Sequence, residues 1–134
     1  MKDYLQKHTK NKYSDDWKTP SKIYDYFIEN NFVDPCPYQF RGNNLNKDFG
    51  NVKLFINPPY SDIKSWVEFS INHHKKYKKD VILLVFARTD TKWFWQLMEY
   101  GIEVEFIKGR LKFNDGKYSA PAPSIFIKLT GVNK

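Results

Sequence analysis

Cysteine is almost missing: Cys36 stands alone, so no internal disulfide can form and a cysteine-based zinc site lacks its thiolates. Histidine is nearly as scarce. Of the three, His8, His73 and His74, the last two are adjacent and would point to different sides of a helix, so we expect surface residues and no metal site. Long apolar runs are also lacking. The longest, residues 81–87, is far short of the roughly 20 residues that span a bilayer, and residues 1–12 are polar without an apolar signal core. No membrane association is expected, and the chain is read as cytosolic. Acidic residues are the last shortage. Fifteen Asp and Glu against 22 Lys and Arg leave a formal charge of +7, a surface that attracts polyanions and permits a nucleic-acid partner.

What is present suffices for one core. The 134 residues, 41% hydrophobic and 18% aromatic against 28% charged, describe a foldable globular chain. They are too few for a catalytic domain plus a separate substrate-reading domain. Residues 1–16 lack periodicity and read as an N-terminal arm; residues 17–134 read as a single compact domain.

Within that domain, Thr19-Pro20 opens a helix, with Thr19 as cap and Pro20 in the first turn. Ile23, Tyr24, Phe27 and Ile28 form its apolar face. Phe32-Val33 is a short apolar stretch ending at Asp34-Pro35, and residues 37–49 read as loop. Residues 52–56 form a strand that stops at Asn57-Pro58-Pro59-Tyr60, because two prolines cannot continue a ladder. Ile63, Trp66, Val67, Ile71 and His74 recur at helical spacing ahead of the basic stretch 75–79. Residues 81–87 are continuously apolar, as for a strand covered on both faces. A helix over 92–100 burying Phe94, Leu97 and Met98 follows, then a strand over 103–107. Residues 111–113, a turn at Asn114-Asp115-Gly116 and a strand over 124–129 suggest an antiparallel hairpin closing one edge. The order predicts an α/β three-layer sandwich with a mostly parallel sheet and a C-terminal antiparallel hairpin. Ligands bind such sheets beyond the carboxyl ends of the strands. Asp34, Asn57 and Arg88 each follow a strand-like run and should share that edge.

Asn57-Pro58-Pro59-Tyr60 carries the most chemistry. An aromatic amino nitrogen is a poor nucleophile while its lone pair is delocalised into the ring. Two acceptors beside its hydrogens, the Asn57 side-chain oxygen and the Pro58 carbonyl, favour a pyramidal nitrogen and stabilise the charge that develops on attack. The prolines hold that carbonyl rigidly, and Tyr60 offers a ring face to a base flipped out of the duplex. The bland alternative is a strand-ending turn. Trp17-Lys18-Thr19-Pro20 taken alone is a capped helix start. Asp34 could accept hydrogen bonds from a cofactor or be an exposed turn aspartate, and Asp48 carries the same ambiguity. The stretch from His73 to Lys79 reads first as a solvated helix terminus and second as a phosphate track. Trp93 and Trp95 flank Phe94, so one or both must be less buried than it and free to stack on a base or another subunit.

The sequence resembles the phage-type N6-adenine DNA methyltransferase family. Six segments match in order: Trp17-Lys-Thr-Pro20, Asp34-Pro-Cys36, Phe55-Ile-Asn-Pro-Pro-Tyr60, Ala87-Arg-Thr-Asp-Thr-Lys-Trp-Phe94, Ile107-Lys-Gly-Arg-Leu-Lys-Phe113 and Ser119-Ala-Pro-Ala-Pro-Ser124. The resemblance implies a Rossmann-like fold, S-adenosylmethionine as methyl donor, a flipped adenine in DNA as substrate, and a bacterial host cytoplasm with phage or mobile-element origin. It implies Asn57, Pro58, Pro59 and Tyr60 as the catalytic loop, and Trp17, Thr19, Pro20, Asp34, Pro35 and Asp48 on the cofactor side. Arg88 joins the same edge with Asp90 and Thr91, and Arg110 and Lys112, beside Gly109, face nucleic acid. One departure stands out: residues 34–39 contain no glycine, whereas many methyltransferases bind the cofactor over a glycine-rich turn. The competing reading is a degenerate methyltransferase fold that binds nucleic acid without transfer. Sequence reading would fall to loops 41–47 and 114–119 or to a homodimer partner.

Overall fold

The computed structural model describes residues 17–38 and 44–130; the expected N-terminal arm and Arg41 lie outside them. Helix α1 (Ser21–Glu29) leads into strand β1 (Phe32–Val33), and β2 (Lys53–Ile56) is followed by a 3-10 turn, Tyr60–Asp62. Then come α2 (Ile63–Tyr77), β3 (Val81–Phe86), α3 (Lys92–Tyr100), β4 (Glu103–Phe106), β5 (Lys112–Phe113), β6 (Tyr118–Ser119) and β7 (Ser124–Leu129).

The five-stranded sheet runs β1-β2-β3-β7-β4. β1, β2 and β3 pair in parallel, while β7 pairs antiparallel with both β3 and β4. The sheet is therefore mixed, where a mostly parallel one was expected. The hairpin also differs. Lys112 and Phe113 pair with Ser119 and Tyr118 in a separate two-stranded ribbon, and β7 lies inside the main sheet instead of closing an edge. Turn chemistry explains the separate ribbon. Asn114, Asp115 and Gly116 all take positive φ, which turns the chain back within a few residues. In β7, Ile125, Ile127 and Leu129 are buried against one core while Phe126 alone packs toward the other, a pattern that fits an edge or an interior strand, so tertiary packing decides its place.

Alternation along the strands divides the core in two. Leu54, Ile56, Val81, Leu83, Val85, Ile125, Ile127 and Leu129 pack against α2 and α3 through Trp66, Val67, Ile71, Phe94 and Leu97. Phe55, Ile82, Leu84 and Phe86 face the other way, toward α1 and the β5–β6 ribbon, through Phe27, Phe113, Ala120 and Ala122. α2 and α3 thus cover one face of the sheet, and α1 with the ribbon covers the other.

Some helical expectations fail locally. Ile28 and Met98 are exposed, and Trp93 is buried in place of Met98. His73 and His74 are buried, not on the surface. His73 Nε2 donates to the Val52 carbonyl at 2.8 Å, and His74 Nδ1 meets the Tyr100 hydroxyl at 2.6 Å. A polar ring at a helix end is buried when such partners lie in reach, and those partners come from elements remote in sequence.

α1 is held by little. Phe27 is its one buried residue, stacked on Phe55 at 4.4 Å and edge-on to Phe32 at 5.0 Å. Phe27→Ala should therefore lower stability by about 3–5 kcal/mol in urea denaturation. A loss below about 1 kcal/mol would mean that α1 docks by other contacts.

Candidate active site

Parallel pairing sets Val33 beside Leu54 and Ile56 beside Leu83, so Asp34, Asn57 and the chain after Phe86 leave the sheet at one edge, the carboxyl edge. Asn57 is the first residue beyond β2. Its Nδ2 donates to the Trp17 carbonyl at 2.7 Å and to Thr19 Oγ1 at 2.9 Å. A backbone carbonyl can only accept, so the amide nitrogen must face Trp17, and Oδ1 points away from both partners. No group among the described residues donates to that oxygen.

Thr19 consequently does not cap α1. Pro20 occupies the cap position without a side-chain bond, and its carbonyl accepts from the Ile23 and Tyr24 amides at 3.0 Å. The helix starts one residue later than expected, which leaves Thr19 Oγ1 to Asn57. Trp17 stands edge-on to Phe86 at 5.5 Å and to Phe113 at 5.4 Å. Its indole Nε1 is buried and meets no acceptor among the described residues.

Tyr60 lies flat on Phe86, with ring centroids 5.0 Å apart and planes 7° apart, so one of its faces is already covered. Its hydroxyl accepts from the Phe86 N–H at 2.7 Å, a donor beyond the last β2–β3 pair that the proline-terminated strand does not reach. Burial holds the phenol well above its usual range, opposed by the Phe86 N–H and the Arg88 charge. The Arg88 guanidinium lies 6.0 Å from the Phe86 ring centroid and its side chain is exposed. Thr91 caps α3, accepting from the Phe94 amide at 3.3 Å and donating to the Arg88 carbonyl at 2.8 Å.

Asp34 is partly buried after β1, and burial pushes its carboxyl up to about 6. Two donors oppose that shift: the Cys36 amide, 2.8 Å from Oδ1, and the Tyr24 hydroxyl. The Pro35 carbonyl accepts from Asn44 Nδ2 at 2.8 Å. Tyr24 was legible only as part of an apolar helix face, and nothing in its spacing announced the hydroxyl's partner.

Asp48 does not join this group. Lys76, Tyr77 and the Gly50 amide bind its carboxylate, all of which hold it far below the usual carboxylate range. Lys76 and Tyr77 end α2, just before β3 begins, which puts Asp48 at the opposite edge of the sheet from Asn57. A groove of about 410 Å³ between Asp48, Lys47, Phe69 and His73 lies there too. Arg110 and Lys112 are exposed on the ribbon, Arg110 Nη1 reaching the Ala120 carbonyl at 3.4 Å. Trp93 and Phe94 are buried, whereas Trp95 is 53% exposed, its Nε1 donating to the Thr89 carbonyl at 2.7 Å.

No curated protein and no solved structure matches the chain. A family model described as DNA N-6-adenine-methyltransferase (Dam) matches residues 6–125, a span that takes in Trp17, Thr19, Asp34, the Asn57–Tyr60 loop and the ribbon. The chain belongs to the DNA N-6-adenine-methyltransferase (Dam) family.

Proposed function

We propose that the protein transfers a methyl group from S-adenosylmethionine to the N6 amino group of adenine in DNA, and that its fold is a shortened Rossmann-like methyltransferase sheet. The observation that carries this reading is the orientation of Asn57. Because the amide nitrogen is spent on Trp17 and Thr19, Oδ1 is presented as an acceptor without any reorganisation at the moment of reaction. Together with the Pro58 carbonyl it accepts the two amino hydrogens of the target base and holds the nitrogen lone pair toward the methyl donor. As the nitrogen becomes positive, both acceptors strengthen their grip, which is the differential binding that lowers a barrier. The proton lost by nitrogen after transfer leaves by way of Oδ1 to water, so no covalent nucleophile is needed. Tyr60, backed by Phe86, supplies a ring edge or face to the base. Arg88, Arg110 and Lys112 meet phosphate.

The residues at the carboxyl edge fit the cofactor. Asp34 is a carboxylate whose burial is poorly compensated, and a cationic ligand bearing an ammonium group and hydroxyls supplies what it lacks. Thr19 Oγ1 accepts from Asn57 and keeps its own hydrogen to donate. Trp17 Nε1 is a further donor with no partner among the described residues. Trp17, Thr19, Pro20, Asp34 and Pro35 would hold the cofactor; Asp48, at the other edge, is left out. The bound cofactor supplies an electrophilic methyl group on a sulfonium.

Asn57→Ala removes the acceptor and should lower transfer by about 10²–10³-fold in a labelled-methyl assay on unmethylated DNA. Cofactor affinity should fall far less than transfer, and stability by about 1–3 kcal/mol, the cost of leaving the Trp17 carbonyl unpaired. Undiminished transfer would contradict the assigned role.

Asp34 gives a pH prediction. Its folded-state value lies above the ordinary one, so the folded chain binds this proton more tightly than the unfolded chain does. The associated stability is present below about pH 4 and is lost as pH rises through about 6. In denaturant titrations without cofactor, Asp34→Asn should gain on wild type by about 1–3 kcal/mol between pH 4 and pH 7.5, and should bind S-adenosylmethionine more weakly. A gap independent of pH would show that the carboxyl is not desolvated.

A further inference from the structure

The peptide group joining Trp17 to Lys18 is gripped at both ends. Its carbonyl accepts from Asn57 Nδ2 at 2.7 Å, and its N–H donates to Asn114 Oδ1 at 2.7 Å. A trans peptide is planar with carbonyl and N–H pointing in opposite directions, so the three amides form one line, Asn57 to peptide 17–18 to Asn114. A second bond fixes the line's far end: the Asn114 N–H donates to the Lys18 carbonyl at 3.1 Å. The Lys18 ammonium also meets the Asp115 carboxylate at 3.0 Å, though both groups are exposed and that pair adds little.

We propose that Asn114 is a positioning residue for methyl transfer, acting on Asn57 through peptide 17–18. The proposal rests on the methyl-transfer reading above and adds a residue to it. Hydrogen-bonded amides polarise one another along a chain. Accepting from the Lys18 N–H places more negative charge on the Trp17 oxygen, which then pulls harder on the Asn57 amide hydrogens. The Asn57 nitrogen in turn releases charge to its own Oδ1, the atom that receives the target's amino hydrogen. The same bonds fix where peptide 17–18 sits and so which way Oδ1 points. Asn114 therefore sets both the direction and the strength of the acceptor without touching the substrate. Its backbone suits the task. Asn114 has φ 56°, the left-handed region that Asn, Asp and Gly tolerate and other residues disfavour. The local requirement for a turn and the distant requirement for an acceptor thus fall on one side chain. The turn belongs to the ribbon, between the exposed Lys112 and Lys117.

Two variants separate the acceptor from the turn. Asn114→Gly keeps the left-handed backbone and deletes the acceptor; Asn114→Asp keeps both. In steady-state methyl transfer, Asn114→Gly should lower kcat by roughly tenfold, the effect of losing one hydrogen bond, with KM for DNA and cofactor affinity little changed. Asn114→Asp should restore kcat. A second readout needs no turnover: the Asn57 side-chain amide signal in nitrogen-15 NMR should shift and exchange faster in Asn114→Gly and return in Asn114→Asp. If the wild-type chain fails to methylate DNA while the NMR pattern holds, the reaction assigned above fails and the relay stands. An Asn57 signal unmoved by Asn114→Gly, a loss confined to KM, or equal damage from both variants would overturn the proposal.

Discussion

A carboxamide offers a donor end and an acceptor end on one small planar group, and its usefulness depends on which end faces the reacting partner. At Asn57 the choice is forced by two groups that lie 38 and 40 residues upstream, Thr19 Oγ1 and the Trp17 carbonyl. Their positions depend in turn on most of the molecule. Trp17 is set by the rings of Phe86 and Phe113, one from the sheet and one from the ribbon. Thr19 is set by the start of α1, which docks through Phe27 onto Phe55. The tetrapeptide supplies the carboxamide, and the second core fixes its orientation.

The mixed sheet serves the same end. Insertion of β7 between β3 and β4 brings the chain back across the carboxyl edge through Ala120 and Ala122, both buried against the second cluster. The Pro123 carbonyl accepts from the Ala87 amide at 2.8 Å, which ties this crossing to the end of β3. The ribbon is thereby held over the Trp17 segment instead of hanging from a sheet edge. A hairpin at the edge would have left the Trp17 indole without Phe113 and peptide 17–18 without Asn114.

Periodicity made α2, α3, β2 and β3 legible, because each buries side chains at the spacing its geometry demands. Asn57, Asp34 and Arg88 were placed on one edge from the apolar runs that precede them. Pairing among distant strands was not legible: the residues 124–129 look alike whether they lie at an edge or in the interior, and the sheet order is decided by tertiary packing. The Thr19 hydroxyl was misread for a related reason. Within four residues it has a plausible local partner in the helix amides, and only the fold shows that a remote carboxamide outcompetes them. Tyr77, the Val52 carbonyl and the Tyr100 hydroxyl, which hold Asp48, His73 and His74, are ordinary groups that no motif marks.

The net charge of +7 and the exposed Arg88, Arg110 and Lys112 suit a polyanionic substrate. The most direct measurement is mass-spectrometric nucleoside analysis of unmethylated DNA incubated with the purified protein and S-adenosylmethionine. The account predicts N6-methyladenine that accumulates with time and protein concentration. DNA in which no base is methylated, or in which the label falls on cytosine, would contradict it.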